Sequence, residues 1–258
     1  MRHFSLVGDK LPNLRGRRLV CTGHGFNSFC LSPEQLNAQP TEQLLLNLVE
    51  PEAPTLDNFR VGPNAELLAA LRECKRGVGP QFIYIWGPHG SGRSHLLRAL
   101  TPTQRMRVPD FDEHVLLYTI DNVEKLDAED LERLFFLMNE VRSHPLSRIV
   151  CAGAVRPNDL VLREDVKTRL MWGLAYQLRY LSADEAGDEF LRLARERGIE
   201  FDETQQRWIE ARCPRDMPGL RHFLDAVDHW AVREHRRITT ALLDAALKEV
   251  VRNTRCTL

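Results

Sequence analysis

The sequence predicts an α/β fold, a parallel sheet covered on both faces by helices, followed by a small all-α unit. Three observations carry this. Short apolar strands alternate with helices up to about residue 181. The first strand runs straight into a glycine-rich turn and then into a helix. Beyond residue 181 there are four helix patterns and no strand.

Taken in order, residues 1–40 carry no sustained period of 2 or 3.6 and are expected to be a disordered extension, or to precede the true start. Gln43-Leu-Leu-Leu-Asn-Leu48 is an isolated apolar hexapeptide, and the prolines of residues 49–54 mark a linker. These two segments fill residues 41–55. Residues 56–64 lead into a helix from Ala65 to Lys75, with Asn64 as its expected N-cap. The run Gln81–Trp86 is β-branched and aromatic, as a buried strand should be. Val115–Asp121 is a second strand and Arg148–Ala152 a third. A short fourth strand is expected near Tyr176–Leu181. The stretch from Leu100 to Val115 is short, so an edge strand there is reduced or missing.

The sheet domain thus spans 56–181 and the helical unit 182–258. Ser182 with Glu185 and Asp202 with Gln205 read as capping boxes. Pro218 suits a first helical turn, and Thr239 or Thr240 opens the last helix.

The chain has 258 residues and a net charge of −1. This balance argues against a non-specific grip on nucleic acid or on an anionic membrane. No apolar stretch reaches membrane-spanning length. The six cysteines include no C-x-x-C pair, so free thiols in a reducing cytoplasm are expected.

The chemistry concentrates at Gly87-x-x-x-x-Gly92-Arg93-Ser94. It matches the phosphate-loop pattern at every position except the lysine. Gly87, Gly90 and Gly92 let backbone N–H groups turn toward phosphate oxygens, and the following helix presents its positive end. The Ser94 hydroxyl and the Asp121 carboxylate suit Mg²⁺. Arg93 replaces the compact ammonium with a planar fork, which holds phosphate but follows the transition state less well. Asn122 stands where active enzymes carry a water-orienting acid, and it cannot accept a proton. Glu124, two residues further on, is expected to aim elsewhere. Ala152 brings no polar group from the third strand. Together these changes predict a site that holds ADP or ATP with Mg²⁺ and turns ATP over poorly.

The lead-in Leu56-Asp-Asn-Phe-Arg-Val-Gly-Pro-Asn64 resembles that of the AAA+ domain in the bacterial replication initiator DnaA. Gly-Ser-Gly-Arg-Ser94, Ile120-Asp-Asn-Val-Glu124, Arg169-Leu-Met-Trp-Gly173 and the four C-terminal helices are more similar to the regulatory inactivator family, Hda. The similarity covers about residues 41–251. The chain also ends where an initiator would continue into a DNA-binding domain, which favours the regulator.

The resemblance implies an AAA+ nucleotide domain with a helical lid, in a cytoplasmic regulator of replication initiation. Such a protein binds the DNA-loaded sliding clamp, the polymerase β subunit, and stimulates ATP hydrolysis by DnaA. It meets DNA indirectly, through the clamp, and the resemblance also allows self-association. Gln43, Leu44, Leu46 and Leu48 become the clamp-binding peptide. Arg169 becomes an arginine finger supplied in trans. The lid arginine falls near Pro218, leaving Arg215 or Arg221 to replace it. Two other classes compete: an autonomous ATPase that loads helicases or clamps, and an origin-binding protein. Arg93 and Asn122 count against the first. The neutral charge counts against the second.

Overall fold

The computed structural model describes residues 52–102, 107–234 and 237–255. The hexapeptide Gln43–Leu48 and the N-terminal extension lie outside the described residues.

The alternation of apolar strands and helices yields α1 (Ala65–Lys75), β1 (Phe82–Trp86), α2 (Arg93–Leu100), β2 (Leu117–Ile120), α3 (Ala128–Ser143), β3 (Arg148–Gly153), α4 (Glu164–Leu170) and β4 (Leu174–Gln177). Four all-helical elements follow: α5 (Ala183–Glu196), α6 (Glu203–Arg212), α7 (Met217–Glu234) and α8 (Thr240–Arg255). The strands form one parallel sheet in the order β2-β3-β1-β4. Among the described residues no strand lies outside β2, as the short stretch before it predicts. The fourth strand begins two residues earlier than the expected Tyr176.

Both faces of β1 are buried, and its side chains alternate between two cores. Ile83 and Ile85 pack with Val150 and Ala152 against α1 and α2. Phe82 and Tyr84 pack with Ile149 and Cys151 against α3 and α4. Fully burying a leucine or isoleucine here stabilises by roughly 2 kcal/mol. This explains why a continuously apolar pentapeptide forms one of the two inner strands rather than an edge.

The helical unit has its own core, built on Phe190, Phe223 and Ile209. The Phe190 and Phe223 rings stack with centroids 4.8 Å apart. Both capping boxes form, with Ser182 and Asp202 each accepting from the backbone N–H three residues on. Thr239 Oγ1 accepts from Leu242 N at the start of α8.

Asn64 departs from its expected role. Its side chain does not cap α1. Instead its amide bonds both backbone groups of Arg179, at 3.0 and 2.9 Å. It therefore stitches the lead-in to the segment after β4, and a 3₁₀ turn at Gly62–Asn64 starts the helix instead. No helix among the described residues is long and apolar enough to cross a membrane.

Candidate functional site

In a parallel sheet of this order, a ligand crevice opens at the carboxyl ends of the central strands. The motif residues gather there. Gly87 follows β1 directly and Arg93 opens α2. Gly90 and Gly92 adopt φ of 77° and 102°, a region that L side chains rarely enter. A Cβ on Gly92 would also stand 2.7 Å from the Phe59 ring, so this glycine is required twice over. The resulting loop leads into the unpaired first-turn N–H groups of α2.

Ser94 Oγ donates to Asp121 Oδ2 at 2.5 Å. The two residues expected to hold Mg²⁺ are thus neighbours, one at the start of α2 and one just past β2. Asp121 Oδ1 also accepts from Asn122 N. Three buried polar atoms in this region have no hydrogen-bond partner: Ser91 Oγ, Arg93 Nη1 and Glu124 Oε2. Buried orphans of this kind cost energy and mark a place built for something else to bind. Two of them are donors on the phosphate loop, so the donor set fits an anionic phosphate. Ser94 and Asp121 fit its divalent ion.

Glu124 corrects an expectation. It does not aim away from the loop, because Asn122 adopts left-handed backbone (φ 49°, ψ 52°). Asparagine tolerates this conformation better than most residues. The chain then tightens into a 3₁₀ turn over Val123–Lys125. That turn brings Glu124 Oε1 to 3.9 Å from Arg93 Nη1. The asparagine itself was the available signal, read in the sequence only as a lost acid.

Ala152 is corrected as well. It is fully buried in the core against α1 and α2, and β3 continues to Gly153. The position does not face the site at all, so its lack of a polar group removes nothing from it.

The segment leading into the helical unit and the start of α7 both meet the loop. Tyr180 Oη donates to the His89 carbonyl at 2.6 Å. Asp216 accepts from Gly219 N at 2.7 Å at the start of α7, and its Oδ1 sits 3.2 Å from where a Cβ on Gly90 would stand. Pro218 lies in the first turn of α7, as expected. His95 has its pKa lowered first by burial, and Arg221 and Arg98 add to that.

Arg169 sits in the last turn of α4. Its Nε donates to Asn139 Oδ1 at 2.9 Å and its Nη1 to the Asp165 carbonyl at 2.8 Å. The guanidinium lies 3.7 Å from the Phe135 ring centroid and 5.1 Å from that of Trp172. It is therefore held by α3 and by a backbone carbonyl, and it makes no side-chain ion pair of the kind Glu164 or Asp165 could offer. Sequence reasoning missed Phe135 and Asn139; a repeat of aromatic residues on one helix carries no sign of what it stacks on.

Cys74, Cys151 and Cys213 are free and buried. Burial pushes the Cys74 thiol up to about 11 and the Cys151 thiol to about 12. Neither is a nucleophile at neutral pH. No cluster of potential metal ligands occurs among the described residues.

A family model for the Hda lid domain matches residues 184–247. In overall structure the chain is similar to domain III of the Thermotoga maritima replication initiation protein DnaA. That match has TM-score 0.61 and 18% identity, covering 78% of this chain and 98% of that one. AMPPCP-bound DnaA from Aquifex aeolicus matches with TM-score 0.57 and 17% identity, over 74% of this chain and 70% of that one. A RuvB variant from Thermotoga maritima matches with TM-score 0.58 and 17% identity, over 76% and 71%. At such identities the structural likeness establishes the AAA+ fold, and the lid match adds the more specific relation. The chain thus joins a sheet domain with the fold of DnaA domain III, carrying a phosphate loop at the carboxyl end of its parallel strands, to a helical unit that matches the Hda lid domain over residues 184–247.

Proposed function

We propose that this protein regulates replication initiation by binding nucleotide and the DNA-loaded sliding clamp, and by stimulating ATP hydrolysis in the initiator DnaA. The observation that carries the reading is the Hda-type lid, residues 184–247, joined to a DnaA-like nucleotide fold. The orphaned donors Ser91 Oγ and Arg93 Nη1 support a bound ADP or ATP, and the Ser94–Asp121 pair supports Mg²⁺.

In this reading Arg169 acts on the partner's nucleotide. Two of its nitrogens are held within the chain, which fixes the plane of the fork and leaves its remaining N–H groups to face a phosphate. An arginine supplied in trans is worth on the order of 10³–10⁵ in rate, by stabilising charge on the transferring phosphoryl group. Gln43, Leu44, Leu46 and Leu48 form the clamp-binding peptide, and the protein works in a reducing cytoplasm.

The test is hydrolysis of ATP pre-bound to the cognate initiator in the presence of DNA-loaded clamp. Addition of this protein should accelerate it. No acceleration, with initiator and clamp shown to be active, removes the regulatory role. An autonomous motor would instead show rapid turnover without initiator or clamp.

A further inference from the structure

We propose that Glu124 is the second carboxylate of the nucleotide site and gives the chain a slow triphosphate hydrolysis of its own. The inference rests on the reading of the phosphate loop as a nucleotide site. It goes beyond that reading by naming the residue that sustains the turnover, one that the motif does not supply.

The position of Glu124 is set by three features. The left-handed turn at Asn122 reverses the chain just past β2. Val123, fully buried in the core against α3, anchors the turn. Gly153, at the end of β3, leaves room for the carboxylate: a Cβ there would stand 3.2 Å from Glu124 Oε2. The carboxylate therefore lies between Arg93 of the loop and the end of β3. Position 93 is where the phosphate-loop pattern places the cation that meets the β- and γ-phosphates, so a carboxylate beside Arg93 stands next to the terminal phosphate of a bound triphosphate.

The two groups facing each other are both incomplete. Arg93 Nη1 and Glu124 Oε2 are buried without partners, and the 3.9 Å between Arg93 Nη1 and Glu124 Oε1 is too long for a hydrogen bond. A nucleoside triphosphate with a water beside it completes both. The arginine donates to a phosphate oxygen, and the carboxylate accepts from the water.

The chemistry balances without any further reactant. Glu124 takes one proton from the water as the water oxygen bonds to the γ-phosphorus. The bond from that phosphorus to its bridging oxygen breaks, and the electron pair leaves with the diphosphate. The carboxylate then returns its proton to the phosphate released. Arg93 in place of lysine keeps this turnover slow, since the broad fork tracks the moving phosphoryl group less well than an ammonium.

The experiment uses the full chain, its Glu124→Gln variant and its Glu124→Asp variant. Equilibrium affinities for ADP and for AMPPCP are measured first. Conversion of bound ATP to ADP is then followed under single-turnover conditions by chromatography of the retained nucleotide. Glu124→Gln should bind both ligands within about three-fold of wild type and convert ATP at least ten-fold more slowly, with Glu124→Asp between them. Equal conversion by wild type and Glu124→Gln overturns the proposal, as does a wild type that binds AMPPCP but converts no ATP. A Glu124→Gln variant that binds AMPPCP ten-fold more tightly at unchanged conversion also overturns it, because Glu124 then merely repels the third phosphate. If wild type binds neither ligand, the nucleotide reading itself has failed, and the binding measurement separates that result from the others.

Discussion

The central carbon of the Arg169 guanidinium stands 3.7 Å from the Phe135 ring centroid, while Asn139 on the same helix as Phe135 accepts from its Nε. One arginine on α4 is thus held by two residues spaced one helical turn apart on α3. The arrangement restricts a long side chain before any partner arrives, which lowers the entropy lost when it is used.

The first prediction follows from that restriction. Arg169→Ala should remove stimulation of initiator ATP hydrolysis, by at least a hundred-fold if the arginine reaches the phosphoryl group. Arg169→Lys should be nearly as poor, because an ammonium cannot hold both Asn139 and the Asp165 carbonyl and still present donors outward. Hydrolysis assays with initiator and loaded clamp decide this. A lysine variant with full activity would show that charge alone suffices and that the α3 contacts are irrelevant.

The second concerns the hexapeptide. Gln43→Ala with Leu46→Ala should abolish co-elution with the sliding clamp, since one substitution removes the amide anchor and the other an apolar contact. Nucleotide affinity should be unaffected. Undiminished co-elution would remove residues 43–48 from the interface.

The third concerns the buried carboxylate of the lid. Glu189 is 1% exposed and pairs with Arg60 of the lead-in and Arg192 of its own helix. Removing both partners with Arg60→Ala and Arg192→Ala leaves a buried charge uncompensated, at a cost of about 3 kcal/mol or more. Adding Glu189→Leu to that pair should recover most of the loss. Urea unfolding of the double and triple variants measures both steps; equal stability of the two would show that the carboxylate is not the source of the cost.

The fourth is a pH dependence. His95 has its pKa lowered by burial, partly offset by a hydrogen bond to the Thr55 carbonyl. The sign follows from linkage. Below the ordinary histidine value near 6.5, the unfolded chain takes up a proton that the folded chain resists. Stability therefore falls as pH drops below that value, and the fall ends once the folded state also protonates. Denaturant midpoints between pH 7.5 and 5 should decline less in His95→Gln than in wild type. Parallel declines in the two proteins would assign the effect to other groups.

Local signals along the chain account for the layout of its elements. Apolar strands of the right length, a glycine-rich turn between strand and helix, and paired capping residues at 182/185 and 202/205 are local signals, and each produced the local structure its chemistry demands. Which of the remaining polar residues share a site depends on long-range packing. The left-handed backbone at Asn122 turned Glu124 toward Arg93, a contact across 31 positions that spacing from the strand end argued against. Asn64 left its expected cap to bond a segment 115 positions away. Phe135 and Asn139 met Arg169 because α3 packs beside α4, not because of any pattern in either helix. The physical reason is the same in each case. Strand, cap and glycine turn are fixed by interactions within a few residues, whereas the partner of a polar side chain is fixed by whichever surface folding brings opposite it.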